Sequence, residues 1–297
     1  MKFNYLLSLL VYWIVIPPTN AFSQIDKGQR NLYIEKSSTN RDSIEEIQDS
    51  IKETLPSIEF NSEISNKVVF WGRTFGVNQI GLDPTIVFNT GKGLYFYTTS
   101  YYWSQDADPN LFAKSDFGLG YYKKISKNWS IYLNYEKWKY FNGDNFVRNA
   151  ITNSLEANAT LSLDWINVES SLYYLFGNIK IVELNVNVSQ EFDLFQFGKH
   201  TNVSFFPELA TVFADKNFLP IYSDFPSNFQ NINSFRLLNI ALNLPFVIQM
   251  NNLEIEPIFH LNFPIQQPNE SVKPFHYTSL KLAYTFYFQK DKLKDNF

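Results

Sequence analysis

From Lys67 to Phe288 the chain alternates apolar and polar residues with a period of two, in segments of about 10 to 14 residues divided by turn chemistry. The last segment is the plainest. Leu280, Leu282, Tyr284, Phe286 and Phe288 point one way, and Ser279, Lys281, Ala283, Thr285 and Tyr287 the other. Leu238, Ile240, Leu242, Leu244, Phe246 and Ile248 share a face opposite Asn239, Ala241, Asn243 and Pro245, and Leu155, Ala157, Ala159, Leu161 and Leu163 oppose Ser154, Glu156, Asn158, Thr160 and Ser162. Such a chain makes strands with one apolar and one polar face, repeated too regularly for one side of a soluble sandwich.

Composition narrows this further. The chain is 45% hydrophobic and 18% aromatic but only 18% charged, and its mean hydropathy is nonetheless −0.22. An ordinary soluble domain carries about 25% charged residues. Beyond the N-terminus no apolar run reaches the roughly 18 residues of a spanning helix, so a multi-span helical membrane protein is excluded. With no cysteine, disulfide frameworks, thiolate nucleophiles and Cys-ligated zinc fall away together.

Twelve candidate strands follow, near 67–78, 81–90, 93–104, 113–124, 129–141, 149–164, 167–177, 180–192, 199–213, 233–249, 252–264 and 276–289. Their connectors sort by parity. Those after even-numbered strands are mostly tight (Thr90–Gly93, Ser126–Asn128, Asp164–Asn167, Asn251–Asn252), whereas 105–112, 214–232 and 265–275 follow odd-numbered strands and are long. The first and seventh strands break this pattern with short connectors, and 193–198 is a longer one on the tight side. Hydrocarbon leaves no partner for an unpaired backbone group, so a sheet spans a bilayer only by closing on itself. The expectation is all-β: a closed antiparallel transmembrane β-barrel of about 12 strands in an outer membrane, both termini periplasmic. Trp129, Trp165, Tyr121 and Phe288 would mark the periplasmic interface, and Trp103, Tyr102, Trp138 and Tyr140 the external one.

Ahead of this zone, residues 1–23 read as a signal peptide: Lys2, an apolar Tyr5–Ile16, Pro17-Pro18, then Ala21 and Ser23 at a small-residue cleavage site. Removing it takes the formal net charge from −4 to −5, and neither that sign nor any basic cluster supports nucleic-acid binding. Residues 24–66 read as a periplasmic leader, either flexible or carrying a short helix from the Asp42-Ser43/Glu46 cap through Ile44, Ile47, Ile51 and Leu55 to Pro56. The barrel is assigned to 67–288 and a tail to 289–297.

The signal ending Ala21-Phe22-Ser23-Gln24, the Phe/Tyr-rich barrel and the closing Tyr284-Thr285-Phe286-Tyr287-Phe288 resemble the outer-membrane β-barrel proteins of Bacteroidota-type bacteria. The resemblance covers residues 67–288. It implies outer-membrane lipid as surroundings and recognition by the barrel-assembly machinery through Tyr284, Phe286 and Phe288, although Gln289–Phe297 follow that strand.

The face expected to line the lumen is acidic: Asp116, Glu136, Glu156, Glu169, Glu183, Glu191, Glu208, Glu254 and Glu256, against Arg236, Lys281 and His260. Two readings stand level. Filled with water, this face makes a narrow passive channel that mildly favours cations; paired among themselves, the same residues make a plugged, structural barrel. The alternative class is a hydrolase acting on membrane lipid, with Glu256, His260 and Ser279 as base-orienting acid, base and nucleophile. No Gly-rich phosphate loop or His-x-x-x-His pair occurs, and neither metal nor cofactor is expected. Gly72, Gly76, Gly118 and Gly120 read as positions that relieve crowding in a curved wall. Nothing in the loops names a solute or ligand.

Overall fold

The structure is a computed structural model that describes residues 55–67, 69, 80–105, 108–141, 151–198, 201–215, 235–266 and 271–288. The signal peptide, the leader helix up to Thr54 and the tail from Gln289 lie outside them. The described elements are all strands: β1 (Ser57–Ser65), β2 (Gly81–Asn89), β3 (Leu94–Gln105), β4 (Asp108–Lys124), β5 (Trp129–Tyr140), β6 (Ile151–Leu163), β7 (Ile166–Gly177), β8 (Lys180–Ser189), β9 (Phe192–Phe197), β10 (Thr201–Phe205), β11 (Glu208–Ala214), β12 (Arg236–Met250), β13 (Leu253–Pro264) and β14 (Phe275–Tyr287). Among the described residues no helix is long and apolar enough to cross a membrane.

Twelve strands form a closed antiparallel barrel. β1 through β8 pair in sequence, β8 pairs with β11, β11 with β12, and β12 through β14 return to β1. The seam between β1 and β14 runs in register from Ser57 against Tyr287 to Ser65 against Ser279. Asn66 N donates to the Thr278 carbonyl (3.1 Å) and Phe288 N to the Pro56 carbonyl (2.8 Å), extending the pairing past both ends.

The first strand is not the expected 67–78. It is Ser57–Ser65, inside the segment assigned to the leader, and residues 68 and 70–79 lie outside the described ones. The shift leaves the total at twelve and removes one irregularity: the connector from β1 to β2, 66–80, is long like others at its end. Two connectors shrink. The loop expected at 105–112 is mostly strand, because β3 and β4 stay paired as far as Gln105 and Asp108 by absorbing two register shifts. The connector at 193–198 is mostly β9, which hydrogen-bonds β10 while β10 pairs with the end of β12. β8–β9 and β10–β11 are therefore two long strands, each broken once, at Gln190-Glu191 and at Phe206-Pro207, where proline has no N–H to give a ladder.

The tight turns lie at one end, the turn end, with Ser57 and Tyr287; the longer connections lie at the other, the loop end. The chain reverses over Gly91 (φ 70°) and Gly93 (φ 85°) in the four-residue connection Thr90–Gly93, and over Asn251 (φ 52°) in the two-residue hairpin Asn251-Asn252, and each uses positive φ. A Cβ on Gly93 would stand 2.2 Å from the Tyr122 carbonyl oxygen.

Alternation decides the two faces. Phe60, Ile86, Phe117, Leu133, Leu172 and Phe286 are among the large apolar residues exposed on the outer face, while Asn61, Thr85, Asn134, Ser171 and Lys281 are buried on the inner one. A water-soluble monomer rarely exposes apolar surface on this scale. Leu238, expected outside, is buried: a bulge opposite Val212 and Phe213 turns it inward beside Asn239. Trp138, expected at the external interface, also lies inside at 6% exposure, and Tyr140 packs half-buried against the same cluster. Trp129, Trp165, Tyr121, Phe288 and Tyr102 are exposed. The side chain of Trp103 is not among those described.

Candidate functional site

The interior divides into three zones. At the loop end, β5 to β8 with β11 and β12 send Trp138, Ile151, Tyr173, Leu175, Ile181, Val212, Ala214 and Leu238 into one buried apolar cluster. These residues stand near strand ends where the period-two pattern places them on the polar face, so this part of the interior is packed with apolar side chains.

The second zone is a ring of acids held by aromatic and amide donors. Tyr97 Oη donates to Glu136, which also accepts from Trp138 Nε1 (2.8 Å) and Asn134 Nδ2 (3.3 Å). Tyr132 Oη and Tyr173 Oη (2.7 Å) donate to the two oxygens of Glu156. Tyr95 stacks on Tyr97 and Tyr132 at ring separations of 6.2 and 6.1 Å. Lys114 Nζ lies 2.8 Å from Asp116 Oδ2, both side chains fully buried, and rests over the Trp138 ring at 4.1 Å. Glu169 accepts from Asn158 (2.9 Å) and Glu183 from Asn185 (2.9 Å). These donors stabilise the acids in place and take up oxygens that a permeant cation would otherwise coordinate.

The third zone crosses four neighbouring strands, β11 to β14. Register sets Asn243 opposite both Glu208 and His260, and His260 opposite Tyr277, with Ser279 two residues along the same face. Glu208 Oε1 accepts from Asn243 Nδ2 (2.6 Å), Asn243 Oδ1 meets His260 Nδ1 (2.8 Å), and His260 Nε2 meets Ser279 Oγ (2.9 Å). With Glu208 ionised and His260 neutral, one direction follows for each bond. A carboxylate only accepts, so the Asn243 amide nitrogen faces Glu208 and its oxygen must accept from Nδ1–H; the neutral imidazole then offers Nε2 as acceptor to the Ser279 hydroxyl. The His260 ring is 0% exposed and stacks on Tyr277, with centroids 4.0 Å apart. An imidazole so held has one tautomer and one orientation.

Of the catalytic candidates, His260 and Ser279 meet, and Glu256 does not join them. It faces Lys281 across the β13–β14 register, 3.6 Å from Nζ. The group that orients His260 is Asn243, backed by Glu208. Asn243 was unremarkable in sequence because alternation tells which face a residue occupies but not which strands are neighbours. Glu254 is half-buried opposite Gln249 and Ala283, Glu191 half-buried at the break before β9, and Arg236 at the loop-end start of β12 opposite Ala214. Among the described residues no group of three or more His, Cys, Asp or Glu is placed to hold a metal ion.

No protein-family model matches the chain, and no curated protein matches it. Among solved structures it is similar to the KdgM porin (TM-score 0.43, 11% identity, 78% of this chain and 99% of that one). It is also similar to LpxR from Salmonella typhimurium (TM-score 0.46, 10% identity, 77% and 99%) and to OccAB2 from Acinetobacter baumannii (TM-score 0.31, 13% identity, 72% and 68%). Similarity this low assigns no role to any residue.

Proposed function

We propose that the chain is an integral outer-membrane barrel protein, embedded in lipid, whose lumen in this form is closed to passive flow. The membrane setting is supported by the apolar outer face and by a wall that pairs its backbone through full closure. Tyr284 and Phe286 on β14, with Phe288 just past its end, are proposed as the segment the assembly machinery reads. The closed lumen rests on one observation, the apolar cluster around Trp138 and Leu175 at the loop end. An apolar constriction excludes water, and ions with it. In planar bilayers the native protein is expected to give no steady conductance steps, and Trp138→Ala with Leu175→Ala to introduce them. Steady ohmic steps from the native protein would overturn this reading in favour of a narrow cation-favouring channel.

A second reading, a lipid hydrolase, is favoured by the 2.9 Å contact between His260 and Ser279. Its test is release of fatty acid from labelled phospholipid by the native protein, abolished in His260→Ala. Identical release from the two proteins, or none from either, would remove it.

A further inference from the structure

We propose that Glu208, Asn243, His260 and Ser279 form a serine-activating relay that serves a small water-borne ester, uncharged or cationic, entering the lumen from the turn end. The proposal rests on the hydrolase reading for its reaction type and departs from it on the substrate. Three observations support it. The hydrogen bonds run in one sense from hydroxyl to imidazole to amide to carboxylate, so a proton taken from Ser279 meets a base whose far side is already oriented and whose positive form faces a carboxylate-backed acceptor.

The second observation is access. On the turn side of the relay the inward Val247, Gln249, Glu254 and Glu256 on β12 and β13 are half-buried, as are Asn158, Thr160 and Glu169 on β6 and β7, while Ile258, Lys281 and Ala283 beside them are buried. On the loop side, Asn239, Asn262 and Tyr277 are fully buried. The half-buried inward residues of β12 and β13 thus lie on the turn side, and the approach to Ser279, itself 6% exposed, is assigned to that end. Lipid does not reach Ser279, because Phe259, Leu261, Leu280 and Leu282 hold the outer face of these strands and the paired backbone separates them from the hydroxyl. The third is charge. Glu254 and the Lys281-paired Glu256 stand on the approach with one net negative charge between the three, which disfavours an anionic phospholipid and accepts a neutral or cationic ester.

The reaction balances with water as the second reactant. Ser279 Oγ attacks the acyl carbon as its proton passes to His260 Nε2. The ester C–O bond breaks, and that proton leaves on the alcohol. Water then attacks the acyl-serine by the same route, releasing the carboxylic acid and restoring the hydroxyl. Asn243 and Glu208 touch no reacting atom and act as positioning residues.

The test is a short-chain fluorophosphonate applied to the folded protein in detergent, read by intact mass and peptide mapping, with heat-modifiable gel mobility reporting the barrel. A single adduct on Ser279 is expected, absent from Ser279→Ala and His260→Ala. Asn243→Leu is expected to slow labelling by roughly a hundredfold, the low end of a general base's contribution. The double variant Glu208→Gln, Asn243→Asp moves the carboxylate into direct contact with the imidazole and is expected to restore the rate, which a purely structural role would not do. A folded native barrel with no Ser279 adduct would overturn the proposal and the hydrolase reading together. An adduct formed equally fast in folded Asn243→Leu would overturn the relay. Hydrolysis of p-nitrophenyl butyrate without phospholipid hydrolysis supports the proposal and removes the lipid reading; Ser279-dependent phospholipid hydrolysis would overturn the substrate assigned here.

Discussion

Gly118 and Gly120 on β4 hold space for rings. A Cβ on Gly118 would lie 1.9 Å from Tyr97 Cε1, and one on Gly120 2.0 Å from Tyr95 Cζ. The missing side chains let both tyrosines lie flat along the inner wall, where Tyr97 reaches Glu136 and Tyr95 stacks on Tyr132. Crowding relief was legible from glycine in an alternating strand; the beneficiaries were not, because they sit on β3. Gly120→Ala is expected to destabilise the barrel by about 1–3 kcal/mol through overpacking. Urea unfolding in lipid vesicles measures this, and Gly120→Ala combined with Tyr95→Ala should cost less than the two single effects added, since the clash then has no second party. Additive losses would mean the two residues do not meet.

At the scale of elements, eleven of the twelve wall positions lie close to the segments that alternation marks, because lipid on one side and a packed interior on the other impose the period on each strand. β1 escaped because its outer face, Ile58, Phe60, Ser62 and Ile64, is interrupted by serine and follows Pro56 and a helix-spaced run of isoleucines. It nevertheless supplies the seam, where Phe60 packs edge-on against Phe286 at 6.2 Å. Deleting 57–65 leaves β2 and β14 with open edges, so that chain is expected to lose heat-modifiable mobility altogether; retention of the folded band would show that β2 closes directly on β14. The β9–β10 extension was hidden for a different reason. The segment 193–198 reads as a connector although it is mostly strand, and the true breaks at Gln190-Glu191 and Phe206-Pro207 fall inside the segments marked as strands 180–192 and 199–213. Among the described residues β9 pairs with β10 alone, and all six of its residues are exposed.

For the whole molecule, the acids of the inner face were visible in the sequence, but whether they meet water or one another depended on donors from other strands. Tyr97, Tyr132, Tyr173 and Trp138 could be seen as aromatics and not as the hydrogen-bond partners of Glu136 and Glu156. The proposed lumen is closed at the loop end by the apolar cluster and open toward the turn end, an asymmetry from which both the expected lack of conduction and the proposed route to Ser279 follow. Since the chain has no cysteine, single cysteines can report it directly. The decisive measurement is labelling by a membrane-impermeant maleimide in lipid vesicles permeabilised so that both faces are reached, with cysteine at Gln249 or Glu254 near the turn end, at Ser154 or Leu175 deeper inside, and at Phe246 on the outer face. Rapid labelling at 249 and 254, with little at 154, 175 or 246, is the predicted result; equal labelling at all four inner positions would mean an open water-filled channel and would contradict the account.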